Sequence, residues 1–153
     1  MRNLTPEEFQ KKWPKLRPDN YKEASHASPR YNCLAFVNGD ERHKWEFGRH
    51  GGRFSWPEGV PDSLEGWTEI FVRQGYAVTD VADKDVEPGY EKIAIYEELE
   101  GYYHVAMSDG RSWKSKLGNY QDIEHATLDL LEGFEQAEYG KIVVILKRKS
   151  GAT

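Results

Sequence analysis

The chain has 153 residues, enough for a single domain that buries about two-thirds of its unfolded surface. Its net charge of -5, with a charged fraction of 31%, offers no basic surface for nucleic acid or anionic lipid. The N-terminus lacks the apolar core of a secretory signal, and no apolar run approaches the roughly 18 residues of a membrane span. We therefore expect one cytoplasmic domain over 1–153, a pattern that a protein injected into another cell would share.

Residues 1–29 predict an N-terminal helix followed by an arm. Thr5 is placed to cap the helix, Glu8 completes a capping box, and Pro14 ends the helix near Trp13. The following stretch, PKLRPDNYKEASHASPR, has the composition of an extended segment. We expect the core of the domain in residues 30–148.

The single cysteine stands at the predicted start of a short helix. Asn32 caps a helix over 33–38, and Gly39 suits the left-handed residue that ends it. Free backbone N–H groups at a helix start favour a thiolate, so Cys33 is a candidate nucleophile. The alternative is that Cys33 packs as a small apolar side chain. One cysteine permits neither an internal disulfide nor a CxxC zinc cluster.

A loop rich in glycine, proline and aromatic residues follows, with the sequence HKWEFGRHGGRFSWPEGVP. It shows neither helical nor strand periodicity, so we expect a surface loop beside Cys33. Trp45 and Trp56 are candidates for a substrate pocket, together with Phe47 and Phe54. Each of these four side chains could equally belong to the core.

The second half predicts a helix and then a run of strands. Asp62 and Glu65 form a D-x-x-E start, and Gly75 ends the helix. Short runs rich in aromatic and β-branched residues follow, which indicate an antiparallel sheet. They are YAVTDV, EKIAIYEE, YYHVAMS and RSWKSKL. DIEHATLDLLEG then predicts a helix capped by Asp122, and KIVVILKR a central strand.

The spacing of the five histidines excludes HExxH and other paired metal motifs, so we expect no metal and no cofactor. His104 differs from the others because it lies inside a predicted strand. If Asp109 and Gly110 form a two-residue hairpin loop, Ser115 lies directly opposite His104 and can orient it. A longer loop would bring Asn119 or Asp122 instead, and a purely structural role for His104 is the alternative.

These segments together resemble the papain-like NlpC/P60 cysteine peptidases and amidases. A cysteine opens a helix, and a later turn and strand, VEPGYEKIAIY, lead to a strand that begins near a histidine. Pro88 and Gly89 match the family's turn, with Tyr90 where the family usually has aspartate. YNCLAF, HVA, SKLG and IEH also resemble an uncharacterised bacterial family with a YNC-[LI]-A-[WF] motif, over residues 30–148. The resemblance implies an α+β papain-like fold, with N-terminal helices packed on a mostly antiparallel sheet.

The resemblance implies that Cys33 is the nucleophile and His104 the general base. Ser115 is the candidate third residue, with Asp122 or His125 as alternatives. Asn32 and the Cys33 N–H would supply donors to an oxyanion. We expect a hydrolase or acyl transferase that acts on amide bonds of peptides or proteins, as a peptidase, amidase or deamidase. The alternative is a catalytically silent binding module, an immunity or adaptor protein.

Overall fold

The computed structural model describes residues 2–99 and 101–151, which form three α-helices, nine strands and one 3₁₀ helix. The helices are α1 (Pro6–Lys12), α2 (Cys33–Val37) and α3 (Leu64–Val72), and the 3₁₀ helix is Leu128–Leu131. The strands are β1 (Tyr21–Glu23), β2 (Lys44–Trp45), β3 (Phe54–Ser55), β4 (Ala77–Thr79), β5 (Tyr90–Leu99), β6 (Tyr102–Ser108), β7 (Trp113–Lys116), β8 (Asp122–His125) and β9 (Lys141–Lys149).

Seven strands form one sheet in the order β1-β8-β7-β6-β5-β9-β4, and every pairing in it is antiparallel. The two short strands of the aromatic loop, β2 and β3, pair separately and in parallel. The expected α+β class with a mostly antiparallel sheet is therefore confirmed. The predicted extended arm contributes β1, which adds an edge strand to the sheet by pairing with β8.

Apolar side chains on the two faces of the sheet build two separate clusters. Consecutive residues of a strand point to opposite faces. Ala94, Tyr96 and Ala106 therefore pack on one face with α1 and the 3₁₀ helix, which we call the α1 face. Ile95 and Val105 pack on the other face with α2 and α3, which we call the α3 face.

The helix predictions for α1 and α2 are confirmed, including their caps. Thr5 and Glu8 form a reciprocal capping box, and Asn32 accepts a hydrogen bond from the Ala35 N–H. The start predicted for α3 was wrong by one residue, because Ser63 is the N-cap. Asp62 instead accepts a hydrogen bond from Trp67 Nε1 at 3.0 Å.

The helix predicted over DIEHATLDLLEG is wrong. Its first four residues form β8 and only Leu128–Leu131 is helical, as a 3₁₀ turn. Asp122 and Glu124 alternate with Ile123 and His125, which is a strand period, and pairing with β7 and β1 decides for the strand. The prediction that KIVVILKR is central is also wrong, because β9 lies one strand from the edge and β6 occupies the centre.

The hairpin between β6 and β7 has a longer loop than predicted. Ser108 pairs with Trp113 and Met107 with Lys114, so four residues connect the strands. The Asp109 carboxylate accepts hydrogen bonds from the N–H groups of Arg111 and Ser112, which stabilises this wider turn. Extending the register places Ser115 opposite Ala106 and diagonal to His104.

Two features are absent from residues 2–99 and 101–151. No helix there has the length and apolarity needed to cross a membrane. In the same part of the chain, no three or more histidine, cysteine, aspartate or glutamate side chains are grouped as metal ligands would be.

Candidate functional site

Asn32 fixes the start of α2 and ties it to the aromatic loop. Its Oδ1 accepts hydrogen bonds from the N–H of Ala35 at 3.1 Å and of Trp45 at 3.2 Å. Its Nδ2 donates to the Trp45 carbonyl at 3.0 Å. Cys33 is therefore held as the first residue of the helix, and the predicted contact between the loop and this helix is present. The Asn32 side chain has a structural role, since its amide oxygen and one of its amide hydrogens form these hydrogen bonds.

The Cys33 thiol lies where β6 and β7 diverge. Pairing between these strands ends at Met107 and Lys114, whereas β6 continues to Tyr102 along β5. The α2 helix packs across both strands, and the N–H of Val105 is directed at the sulfur. The Cys33 sulfur thus faces the sheet beside Val105, the residue that follows His104.

Burial raises the pKa of the Cys33 thiol to about 11. The N–H groups of Val105, Leu34 and Cys33 itself, and the charge of Lys116, act in the opposite direction. The expectation that the helix start lowers this pKa below its ordinary value is therefore wrong. A five-residue helix supplies a small field, and desolvation of the sulfur outweighs it.

His104 is almost fully buried on the α1 face, in a stack of aromatic rings. Its ring lies parallel to that of Tyr139, with centroids 3.8 Å apart and an interplanar angle of 7°. The Tyr96 ring packs against it at 5.3 Å. His104 Nε2 lies 3.2 Å from Ser115 Oγ. The predicted contact with Ser115 is therefore present, although the two residues are diagonal rather than directly opposed.

Ser115 connects His104 to a second buried histidine. Ser115 Oγ lies 2.8 Å from His125 Nε2, and His125 Nδ1 lies 3.0 Å from the Thr127 carbonyl oxygen. A carbonyl oxygen only accepts, so His125 Nδ1 carries the hydrogen. Burial lowers the pKa of His125 to about 4, so its Nε2 is an unprotonated acceptor.

This chain of hydrogen bonds fixes the tautomer of His104. The Ser115 hydroxyl donates to His125 Nε2, so its oxygen is left to accept from His104 Nε2–H. Burial, and the neighbouring His125, hold the pKa of His104 well below its ordinary value. A neutral His104 protonated on Nε2 has its lone pair on Nδ1.

His104 Nδ1 is open to a further partner. No hydrogen bond in the described part of the chain uses this atom. Trp13 Nε1 is the one fully buried side-chain nitrogen or oxygen without a partner among the described residues. His104 Nδ1 thus has no hydrogen-bond partner among the described residues, and the residue is only 2% exposed.

Cys33 and His104 are neighbours without a direct hydrogen bond between them in the described structure. Cys33 packs against the cluster on the α3 face, whereas the His104 ring packs on the α1 face. Pairing between β6 and β7 has ended at this level of the sheet. The hydrogen bond between sulfur and imidazole that a nucleophile and its general base require is not formed between these two described residues.

The other candidates for the third residue lie elsewhere. Asp122 accepts hydrogen bonds from the Tyr31 hydroxyl, with both oxygens at 3.2 Å. No hydrogen bond of the described residues joins Asn119 or Asp122 to His104. His125, which we had assigned to a helix, instead reaches His104 through Ser115.

Lys116 is a buried cation that the sequence did not single out. Its Nζ donates to the carbonyl oxygens of Ser28, Gly118 and Tyr120 at 2.9, 2.8 and 2.5 Å. It also lies 4.9 Å from the centroid of the Tyr31 ring. Burial lowers its pKa to about 8. A lysine between Ser115 and Leu117, at the end of a strand that begins with buried Trp113, was the signal available in the sequence.

The aromatic loop forms a cavity of about 760 Å³. Trp56 and Phe47 line it, and their rings meet edge to face at 5.9 Å. Trp45 and Phe54 do not line it: Trp45 Nε1 donates to Asp40 Oδ2 at 3.0 Å, and Arg49 covers the Phe54 ring. The pocket assignment therefore fits one of the two predicted tryptophans.

Comparison with known proteins gives one match. A family model described as a domain of unknown function (DUF7689) matches residues 22–147, from the edge strand β1 to the last sheet strand. No curated protein and no solved structure matches the chain.

Proposed function

The chain belongs to this family of unknown function, and we propose that it is a papain-like cysteine hydrolase or acyl transferase acting on amide bonds. Cys33 is the nucleophile and His104 the general base. Ser115 and His125 are positioning residues, which hold the His104 ring in the tautomer that can take a proton. The observation that carries the proposal is the hydrogen-bond chain that leaves His104 Nδ1 unprotonated and without a partner among the described residues. His104 directly precedes Val105, whose N–H is directed at the Cys33 sulfur.

Free backbone donors support the same chemistry. No hydrogen bond in the described structure uses the N–H of Cys33 or of Leu34, which stand at the first two positions of α2. Both N–H groups lie near the sulfur, where an oxyanion would form during attack on a carbonyl. We assign the oxyanion donors to these two groups in place of the Asn32 side chain.

The magnitude of the proton transfer shows what the site must supply. Moving the proton from a thiol with a pKa of about 11 to an imidazole whose pKa is held well below its ordinary value costs more than about 6 kcal/mol for separate groups. A thiolate and an imidazolium 4 Å apart attract each other by about 4 kcal/mol at an effective dielectric of 20. The resting pair is therefore neutral, and transfer accompanies attack on the substrate.

The reaction proceeds in two halves. The Cys33 sulfur bonds to the carbonyl carbon while its proton moves to His104 Nδ1. The C–N bond then breaks, the amine leaves with the proton from His104, and a thioester remains on Cys33. Water or another nucleophile attacks the thioester, again deprotonated by His104, and releases the thiol.

An acylation assay tests this proposal. The protein is incubated with p-nitrophenyl acetate, and intact mass spectrometry follows addition of one acetyl group. We expect the wild type to gain an acetyl group on Cys33 and Cys33→Ser to gain none at this position. The rate of acetylation of His104→Gln should be lower by 10²-fold or more. The exposed His26 supplies a matched control, and His26→Gln should acetylate at the wild-type rate. Equal rates for His104→Gln and the wild type, with both folded, would contradict the proposal.

A silent binding module is the second candidate, and two observations favour it. The thiol pKa is raised, and the cavity formed by Phe47, Trp56 and the nearby prolines presents a ready apolar surface. In that case, substitution of Cys33 would leave every activity unchanged, whereas Trp56→Ala would abolish binding of the partner. The acylation assay separates the two candidates, since only the hydrolase forms a thioester.

A further inference from the structure

Three arginines line one cavity of about 440 Å³ beside the start of α2. Arg30 comes from the segment before Cys33, Arg42 lies just before β2, and Arg53 directly precedes β3. Pro29 completes the lining. We call this cavity the arginine pocket.

No ion pair among the described residues involves these three arginines. Arg2 pairs with Glu8 and Arg148 with Glu91, whereas Arg17 and Arg111 are also without an ion pair in the described part of the chain. Three like charges around a shared space repel one another. The net charge of the protein is -5, so this local excess of positive charge stands against the overall charge.

The backbone at each arginine is held in place. The Arg30 N–H donates to Ser28 Oγ at 3.2 Å and the Arg42 N–H to Asp40 Oδ1 at 2.8 Å. The Arg53 carbonyl accepts from the Lys44 N–H at 2.8 Å. The backbone of three separate segments is thus fixed, and the three exposed arginines that these segments carry line one cavity.

The pocket adjoins the proposed nucleophile. Arg30 precedes Cys33 by three positions in the chain, so their Cα atoms are at most about 11 Å apart. On the other side, Arg42 and Arg53 flank Lys44 and Trp45, and Asn32 binds both the N–H and the carbonyl of Trp45. The arginine pocket and the Cys33 thiol therefore lie on the two sides of the hydrogen-bonded contact between Asn32 and Trp45.

We propose that the arginine pocket binds a carboxylate of the substrate, so that the enzyme selects amides with an acidic group near the bond that is cleaved. This inference rests on the proposed function for the identity of the ligand as a substrate. Guanidinium groups match carboxylates with two parallel hydrogen bonds, and the fixed geometry gives selectivity as well as attraction. Neutral amides of the same size lack this partner.

A binding experiment on Cys33→Ala, which cannot turn substrate over, tests the pocket. The probes are N-acetylglutamate, its neutral analogue N-acetylglutamine amide, and inorganic phosphate, each titrated by calorimetry. We expect N-acetylglutamate to bind at least tenfold more tightly than the neutral analogue. Arg42→Gln and Arg53→Gln, made in the same background, should each weaken binding at least fivefold.

Arg111→Gln is the matched control, because it removes the same charge from the β6–β7 turn, and it should bind as tightly as its parent. Equal binding of the two acetylated probes, or binding unaffected by the pocket substitutions, would overturn the proposal. Tighter binding of phosphate than of N-acetylglutamate, lost in the same variants, would overturn the carboxylate assignment.

The outcomes keep this inference separate from the proposed function. Acylation of Cys33 without binding of N-acetylglutamate would refute the carboxylate-binding role of the arginine pocket but not the proposed hydrolase. Binding that depends on the arginines, without acylation of the wild type, would refute the proposed hydrolase but not the anion-binding pocket.

Discussion

The pH dependence of the free energy of unfolding tests whether His125, one of the two buried histidines, is neutral in the folded protein. Its pKa is about 4 in the folded protein, against 6.5 for an ordinary histidine, because burial disfavours its charged form. The unfolded chain therefore binds more protons as the pH falls below 7, and the stability that neutral His125 provides is lost in that direction. It is fully present above about pH 6.5 and declines down to about pH 4.

The two pKa values set the size of the effect. Linkage gives a loss from His125 of about 2 kcal/mol between pH 7 and pH 5, and about 3 kcal/mol by pH 4. Urea unfolding of the wild type and of His125→Gln, at pH 7, 6, 5 and 4, isolates this part from the titration of carboxylates. The wild type should lose about 2 kcal/mol more than the variant between pH 7 and 5.

The exposed His26 provides the control, and His26→Gln should follow the wild-type curve. Parallel curves for the wild type and His125→Gln would refute the reasoning, because they would mean that His125 is free to take up a proton in the folded protein. The tautomer assigned to His104 would then have no basis, since it depends on an unprotonated His125 Nε2.

Further predictions concern the frame around the site. Gly66 lies inside α3, where alanine ordinarily gains about 1 kcal/mol, but a Cβ there would meet the Pro61 carbonyl oxygen at 1.8 Å. Urea unfolding should therefore show Gly66→Ala to be less stable by about 2 kcal/mol or more. A gain in stability would contradict this, because it would mean that the turn at Pro61 moves to make room for the methyl group. Lys116→Met leaves three carbonyls without their donor and should cost about 2 to 4 kcal/mol, whereas Lys114→Met, which breaks a partly exposed ion pair with Asp109, should cost under about 1 kcal/mol. Similar losses for both lysines would contradict the anchoring role of Lys116.

Local signals predicted the helix that carries the candidate nucleophile. Asn32 and Gly39 define α2 because caps act within one turn of the chain, and the structure has both. The antiparallel strands were likewise visible as short β-branched runs with turns between them. In these segments, the preference of the sequence and the packing of the fold agree.

The parts that were mispredicted depend on contacts distant in sequence. The segment from Asp122 to His125 has both a helix-capping residue and a strand alternation, and pairing with β1, about a hundred residues earlier, decides between them. The pKa of Cys33 depends on how deeply α2 sinks against β6 and β7, which no local pattern encodes. The arginine pocket draws on Arg30, Arg42 and Arg53, whose shared cavity appears only when the loop folds back on the arm.

The rate of alkylation of Cys33 tests the pairing of thiol and imidazole most directly, because the chain has no other cysteine to react. Iodoacetamide is added to the folded wild type and to His104→Gln at pH values from 6 to 9, and the rates are compared after both proteins are shown to be folded. If His104 Nδ1 takes the thiol proton, the wild type should react at least tenfold faster than the variant near pH 7. Equal rates across this range would contradict the account, because the thiol would then react without help from His104.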